Sequence, residues 1–267
     1  MARAGAPDQI AGMKIQTALL ALLLMAAVGT ARAQGAPASE WHFLVEPYVM
    51  FPNMKGETGI GNLPPVQVDE DPQDIFDHLQ MGAMLFLEAR NDRWAFSSDL
   101  LYMDLESDIE QATLISGGDV GVSQLGWELA ALRRLAPWFE FGLGLTYNRI
   151  EADVDVDVLA LIGPDYTLSA GLTEDWIDPT FVARATLPFG DKWFFQARAN
   201  LGGFGIGNAA DLNLQLQADV GYRPGDHWQF SFGYRLIDID YEQGTGDDRF
   251  KYDVRTFGPV LRLGYSF

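Results

Sequence analysis

After residue 40 the chain alternates apolar and polar residues with a period of two, segment after segment, as strands do when one face meets apolar surroundings. From Asp211 to Tyr222, Leu212, Leu214, Leu216, Ala218, Val220 and Tyr222 fall on one face, and Asn213, Gln215, Gln217, Asp219 and Gly221 on the other. Phe139, Phe141, Leu143, Leu145 and Tyr147 alternate with Glu140, Gly142, Gly144, Thr146 and Asn148. Trp228, Phe230, Phe232, Tyr234 and Leu236 alternate with Gln229, Ser231, Gly233 and Arg235. These runs match the ~9–11 residues a tilted strand needs to cross a bilayer. In a soluble sandwich the apolar face would be the core. Here the polar face carries the glycines and charges, which assigns it to a lumen and the apolar face to lipid.

Short polar turns, Asn91-Asp92-Arg93, Ala136-Pro137, Gly190-Asp191-Lys192 and Arg223-Pro224-Gly225-Asp226, alternate with longer connections at 52–80, 106–122, 158–176, 204–211 and 243–250. Together they join about ten strands, with eight or twelve following if one hairpin is misread. Trp94, Trp138, Trp193 and Trp228 follow the short turns, as an aromatic girdle at one membrane–water interface requires. The expected fold is all-β: a single antiparallel up-and-down transmembrane β-barrel over residues 41–267. Its short turns and both termini would be periplasmic and its longer loops external.

Residues 13–33, MKIQTALLALLLMAAVGTARA, have a positive start at Lys14, an apolar stretch from Ile15 to Val28 and small residues at Ala31 and Ala33. That is a signal peptide cut before Gln34, with Met13 as the expected start and 34–40 as a short periplasmic lead-in. The chain has no cysteine, which removes disulfides, thiolate metal sites and a lipid anchor on cysteine. Its net charge of −19 repels nucleic acid. No cofactor is expected.

The chain ends Leu263-Gly264-Tyr265-Ser266-Phe267, with Leu263, Tyr265 and Phe267 on one face. This resembles the C-terminal signal read by the bacterial barrel-assembly machinery. Residues 176–207, 228–243 and 250–261 strengthen the likeness: the mature chain resembles a family of largely uncharacterised, porin-like outer-membrane barrel proteins of proteobacteria. The resemblance implies a bacterial outer-membrane location, with lipid and lipopolysaccharide as surroundings. It implies no catalytic residues.

Alternation places Glu88, Asp99, Glu128, Glu140, Asp178 and Asp219 inward together with Arg90, Arg184, Arg198, Arg235 and Arg262. Acids and arginines nearly balance there, unlike in the whole chain, and buried charges need partners. A narrow lumen cross-linked by ion pairs and largely closed is the first reading. A narrow solute path between the pairs is the second. In the first long connection, Asp71 caps and Pro72 begins a short helix reaching Leu79. Ile75, Phe76 and Leu79 share a face, and so short a helix needs a surface: it is either a lid on the barrel mouth or a helix lying on the rim.

Asp153, Asp155 and Asp157 alternate along one strand face, a weak calcium candidate without the glycine and distal glutamate of a helix–loop–helix calcium site. Gly202-Gly203-Phe204-Gly205-Ile206-Gly207 has no helix after it to cradle a phosphate. Of the three histidines, His42 begins a strand, His227 lies in a short turn and His78 stands beside Asp74 and Asp77 without a nucleophile motif. The expected role is a structural or surface-interaction envelope protein and not an enzyme. The alternatives are a low-conductance pore for small solutes and, after it, an outer-membrane hydrolase dependent on His78.

Overall fold

The structure, a computed structural model, describes residues 40–108, 115–158 and 166–267. The expected signal peptide, the expected start and most of the expected lead-in lie outside the described residues. Among the described residues no helix is long and apolar enough to cross a membrane. The strands form one antiparallel sheet: β1 His42–Met50, β2 Asn53–Ile60, β3 Val66–Glu70, β4 Leu79–Arg90, β5 Trp94–Asp108, β6 Ile115–Ala136, β7 Phe139–Val158, β8 Tyr166–Phe189, β9 Trp193–Gly203, β10 Leu212–Tyr222, β11 Trp228–Gln243 and β12 Phe250–Ser266. A short helix, α1, spans Pro72–Asp77.

Ten strands, β1 and β4 to β12, close into a barrel, because β1 pairs with β4 on one side and β12 on the other. The closing seam is tight at the ends of the chain. Phe43 N–H donates to the Phe267 carbonyl at 2.9 Å, and Phe267 N–H donates to that of Phe43 at 3.0 Å. The outside of the wall is an apolar band. Near the short turns it exposes Trp94, Trp138, Trp193 and Trp228. Towards the long loops the outward face ends at Tyr102, Trp127 and Tyr147, above which the same face carries Asp104, Arg149 and Asp175. From Trp94 to Tyr102 or from Phe267 to Phe257, the band is roughly 20–25 Å tall at ~3.3 Å per residue and ~40° tilt, the height of a bilayer-crossing barrel.

Three connections differ from the expected loops. The segment 52–80 holds the β2–β3 hairpin as well as the helix. β12 has 17 residues and β1 only 9, so the upper part of β12 needs another partner. The chain breaks at Phe51-Pro52 and supplies β2, paired from Asn53↔Phe257 to Ile60↔Phe250. Gly258 permits the break: a Cβ there would lie 1.9 Å from the Phe51 carbonyl oxygen. Segments 106–122 and 158–176 likewise contain strand. β6, β7 and β8 run to 22, 20 and 24 residues, against 11 each for β9 and β10. These three therefore rise past the upper aromatic ring as a projecting sheet, while the wall beside them is low.

The β2–β3 hairpin is tied to β12 by charge. Glu57 pairs with Lys251 and accepts from Gln67 Nε2 at 3.1 Å. The hydrogen bond from Lys251, then that from Gln67, holds the Glu57 carboxyl below its ordinary range. A lowered folded-state pKa gives stability that is present above the unfolded value and lost as pH falls through the folded one. Acidification below about pH 4 should therefore loosen the hairpin. Hydrogen exchange at Val66–Glu70, corrected for intrinsic rate, should rise there in the native protein, and Glu57→Gln should remove most of that pH dependence.

Candidate functional site: a lumen filled in two layers

The lower part of the lumen is polar because every second residue of each strand points inward. All eleven charged residues expected there do face inward, and most are buried. They fall into separate groups. Arg184 on β8 lies between Glu88 on β4 and Glu140 on β7, with its Nε donating to Glu140 at 2.6 Å. Arg90 reaches the same two acids at 3.5 and 3.1 Å. Arg198 on β9 pairs with Glu128 on β6 and donates to Ser97 Oγ at 3.3 Å. Arg235 on β11 meets Asp99 on β5 at 3.0 Å. Strands β4 and β8, or β5 and β11, are not neighbours, so these ion pairs cross the barrel.

Two of the expected acids take no arginine. Asp219 accepts from Gln217 Nε2 at 2.7 and 3.0 Å. Asp178, 0% exposed, accepts from Asn148, Trp176 and Asn213 side chains and from Ala210 N–H at 2.7–3.1 Å. Four neutral donors can hold a carboxylate, and here they pin the β9–β10 connection inward through Ala210. Arg262 finds Glu46, a residue that the sequence reading left out, at 3.0 Å. It also left out Tyr48, Arg134 and Arg223. Tyr48 donates to Asp99 at 2.8 Å and accepts from Arg235 at 2.9 Å, and Arg134 meets Glu140 at 3.2 Å. The signal for Glu46 and Tyr48 was the Leu44, Glu46, Tyr48, Met50 alternation, interrupted to the eye by Pro47.

The upper layer is apolar. Trp176 and Tyr241 stack at 4.0 Å between ring centres, with Met103, Ile239, Tyr252 and Val254 in the same cluster. α1 is seated on it. Asp71 accepts from Gln73 and Asp74 N–H at 2.7 and 3.1 Å, while Asp74 accepts from Asp71 N–H at 3.2 Å, a reciprocal cap. Ile75 is 3% exposed within the cluster, Phe76 stays 40% exposed against Phe51, and Leu79 already belongs to β4 while packing on the cluster. Burying Ile75 contributes about 2 kcal/mol. Nearby, β1–β4 pairing stops at Pro47↔Leu85, and above it Met50 N–H donates to Met84 Sδ at 3.4 Å.

The remaining candidates lie apart. Leu263, Tyr265 and Phe267 sit on the lipid face of β12, with Phe267 stacked on Phe43. Asp153 and Asp155 lie on the projecting part of β7, and the Asp157 side chain lies outside the described residues. Among the described residues no three metal-binding groups converge. His78 Nδ1 is 2.8 Å from the Asp74 carbonyl oxygen and His227 Nδ1 2.9 Å from that of Ser266.

No family model and no curated protein matches the chain. Solved structures match in general form. Ail, the attachment invasion locus protein of Yersinia pestis, is 11% identical over 86% of this chain and 99% of its own, with a TM-score of 0.32. The CymD monoaromatic hydrocarbon channel is 10% identical over 91% and 95%, with a TM-score of 0.34. A Pseudomonas aeruginosa FadL homologue is 9% identical over 86% and 90%, with a TM-score of 0.35.

Removing one partner of a buried pair strands the other, at a cost of roughly 3–5 kcal/mol. Arg184→Met should therefore lower the temperature at which the barrel unfolds in detergent, and adding Glu88→Gln, which leaves Glu140 to Arg90 and Arg134, should recover part of the loss. Ile75→Asp should lift α1 without opening the barrel, seen as faster proteolysis between residues 61 and 80 at unchanged heat-modifiable migration.

Proposed function

We propose that the protein is a closed barrel of the bacterial outer membrane, with its short turns and termini in the periplasm, and that it acts through what it presents outside. The carrying observation is that side chains span the lumen at two levels. The Asp99–Arg235–Tyr48 tie crosses its middle, and the apolar cluster under α1 fills its mouth. A solute would have to break buried ion pairs and then pass a packed aromatic layer. The projecting β6–β8 sheet and the β2–β3 hairpin stand above the membrane band, as a surface-interaction or structural envelope protein would need. In this reading lipid and lipopolysaccharide surround the band, and the Leu263, Tyr265, Phe267 face serves the assembly machinery. The leader at 1–33 is removed on export. No hydrolase role is part of it, since no nucleophile motif accompanies His78 in the sequence.

Planar-bilayer recording of the refolded mature protein tests this, with and without residues 64–79. Silence from both forms is expected. Discrete openings from the intact protein would replace this reading with the low-conductance pore. Openings only after deletion would make α1 the gate of such a pore.

A further inference from the structure

The short-turn end of the lumen is not filled. A cavity of about 240 Å³ opens there, below the Arg184 ion pairs. Its lining holds four arginines, and they are not equivalent. Arg90, Arg184 and Arg262 each meet a carboxylate. Arg223 makes no ion pair among the described residues. Its guanidinium lies 4.0 Å from the centre of the Phe194 ring, and its Nε donates to Gln229 Oε1 at 3.2 Å. Both Nη groups are left with no acceptor among the described residues.

This arrangement is built by the backbone. The Phe194 ring occupies the place of a side chain at Gly221, where a Cβ would be 2.0 Å from Phe194 Cζ. Glycine at 221 thus lets the ring lie down, and the ring gives Arg223 a flat support. The surrounding charge favours an anion. Arg90, Arg134 and Arg184 share only Glu88 and Glu140, so that group keeps one positive charge beside Arg223. Asp219 also lines the cavity, without an arginine contact, and offers an acceptor.

We propose that this vestibule binds a small organic anion. A carboxylate or phosphate of the ligand accepts from the Arg223 Nη groups, with Arg90 adding charge, and a hydroxyl or ammonium elsewhere on it donates to Asp219. A planar fork matches two oxygens of such a group. The site is independent of the closed-lumen reading, because its lining lies at the short-turn end.

Isothermal titration of the refolded protein at constant ionic strength tests it, with citrate and inorganic phosphate as separate probes. Saturable binding of at least one probe at a single site is expected. Citrate alone assigns carboxylates, and phosphate alone assigns phosphate-bearing ligands. Arg223→Gln should weaken binding at least about tenfold, and Phe194→Leu should weaken it less, each with native heat-modifiable migration. Arg255→Gln, on the outer face beside Asp238, should leave affinity unchanged. Absence of saturable binding to the intact protein, or equal losses from Arg223→Gln and Arg255→Gln, would overturn the site.

Discussion

The structure depends on the requirement that no backbone N–H or C=O face hydrocarbon unpaired. An open sheet fails that requirement at both edges. Here the first and last strands meet, Phe43 against Phe267, and the edges vanish. Closure then forces everything else. Alternate side chains must point into the space that ten strands enclose. The chain fills that space with long, paired side chains below and with aromatic and aliphatic ones above. Where pairing lapses, between the upper parts of β1 and β4, Met50 N–H turns to the Met84 sulfur instead.

Closure also explains why buried charge is tolerated. Arg184, Arg235 and Arg262 each reach an acid on another strand and a second acceptor or a ring. Such pairs contribute little net stability against an apolar core of equal volume, since desolvation offsets the attraction. Their effect is on specificity. A one-residue slip of any strand would send its arginine or acid into lipid, so the network penalises wrong register far more than it rewards the right one.

The barrel and its inward faces were legible because the signal is strictly periodic and repeated ten times. Register is what alternation encodes, and residues such as Glu140 and Arg235 follow from it directly. What alternation does not encode is height. The stretches at 53–60 and 166–175 read as loop because their outward face meets water once they rise above the bilayer, leaving a few inward residues such as Met54 and Leu172 as the only apolar mark. Which acid meets which arginine was also hidden. That depends on shear and tilt, which bring β4 opposite β8, and no local pattern carries those quantities. Glu46 and Arg223 were missed for a simpler cause: each lies where Pro47 or Pro224 interrupts the rhythm.

The two ends of the lumen are built from opposite chemistry, and the membrane accounts for the difference. At the long-loop end the inward residues lie above the bilayer, where the strands gain nothing from lipid. They must bury apolar area among themselves to stay standing, and the Trp176–Tyr241 stack under Ile75 does so. At the short-turn end the wall is already stabilised by lipid outside, so the interior need not collapse. It can keep a cavity lined by charges, beside a group in which three arginines share two acids. One barrel thus carries an apolar packed layer at one end and a polar cavity at the other.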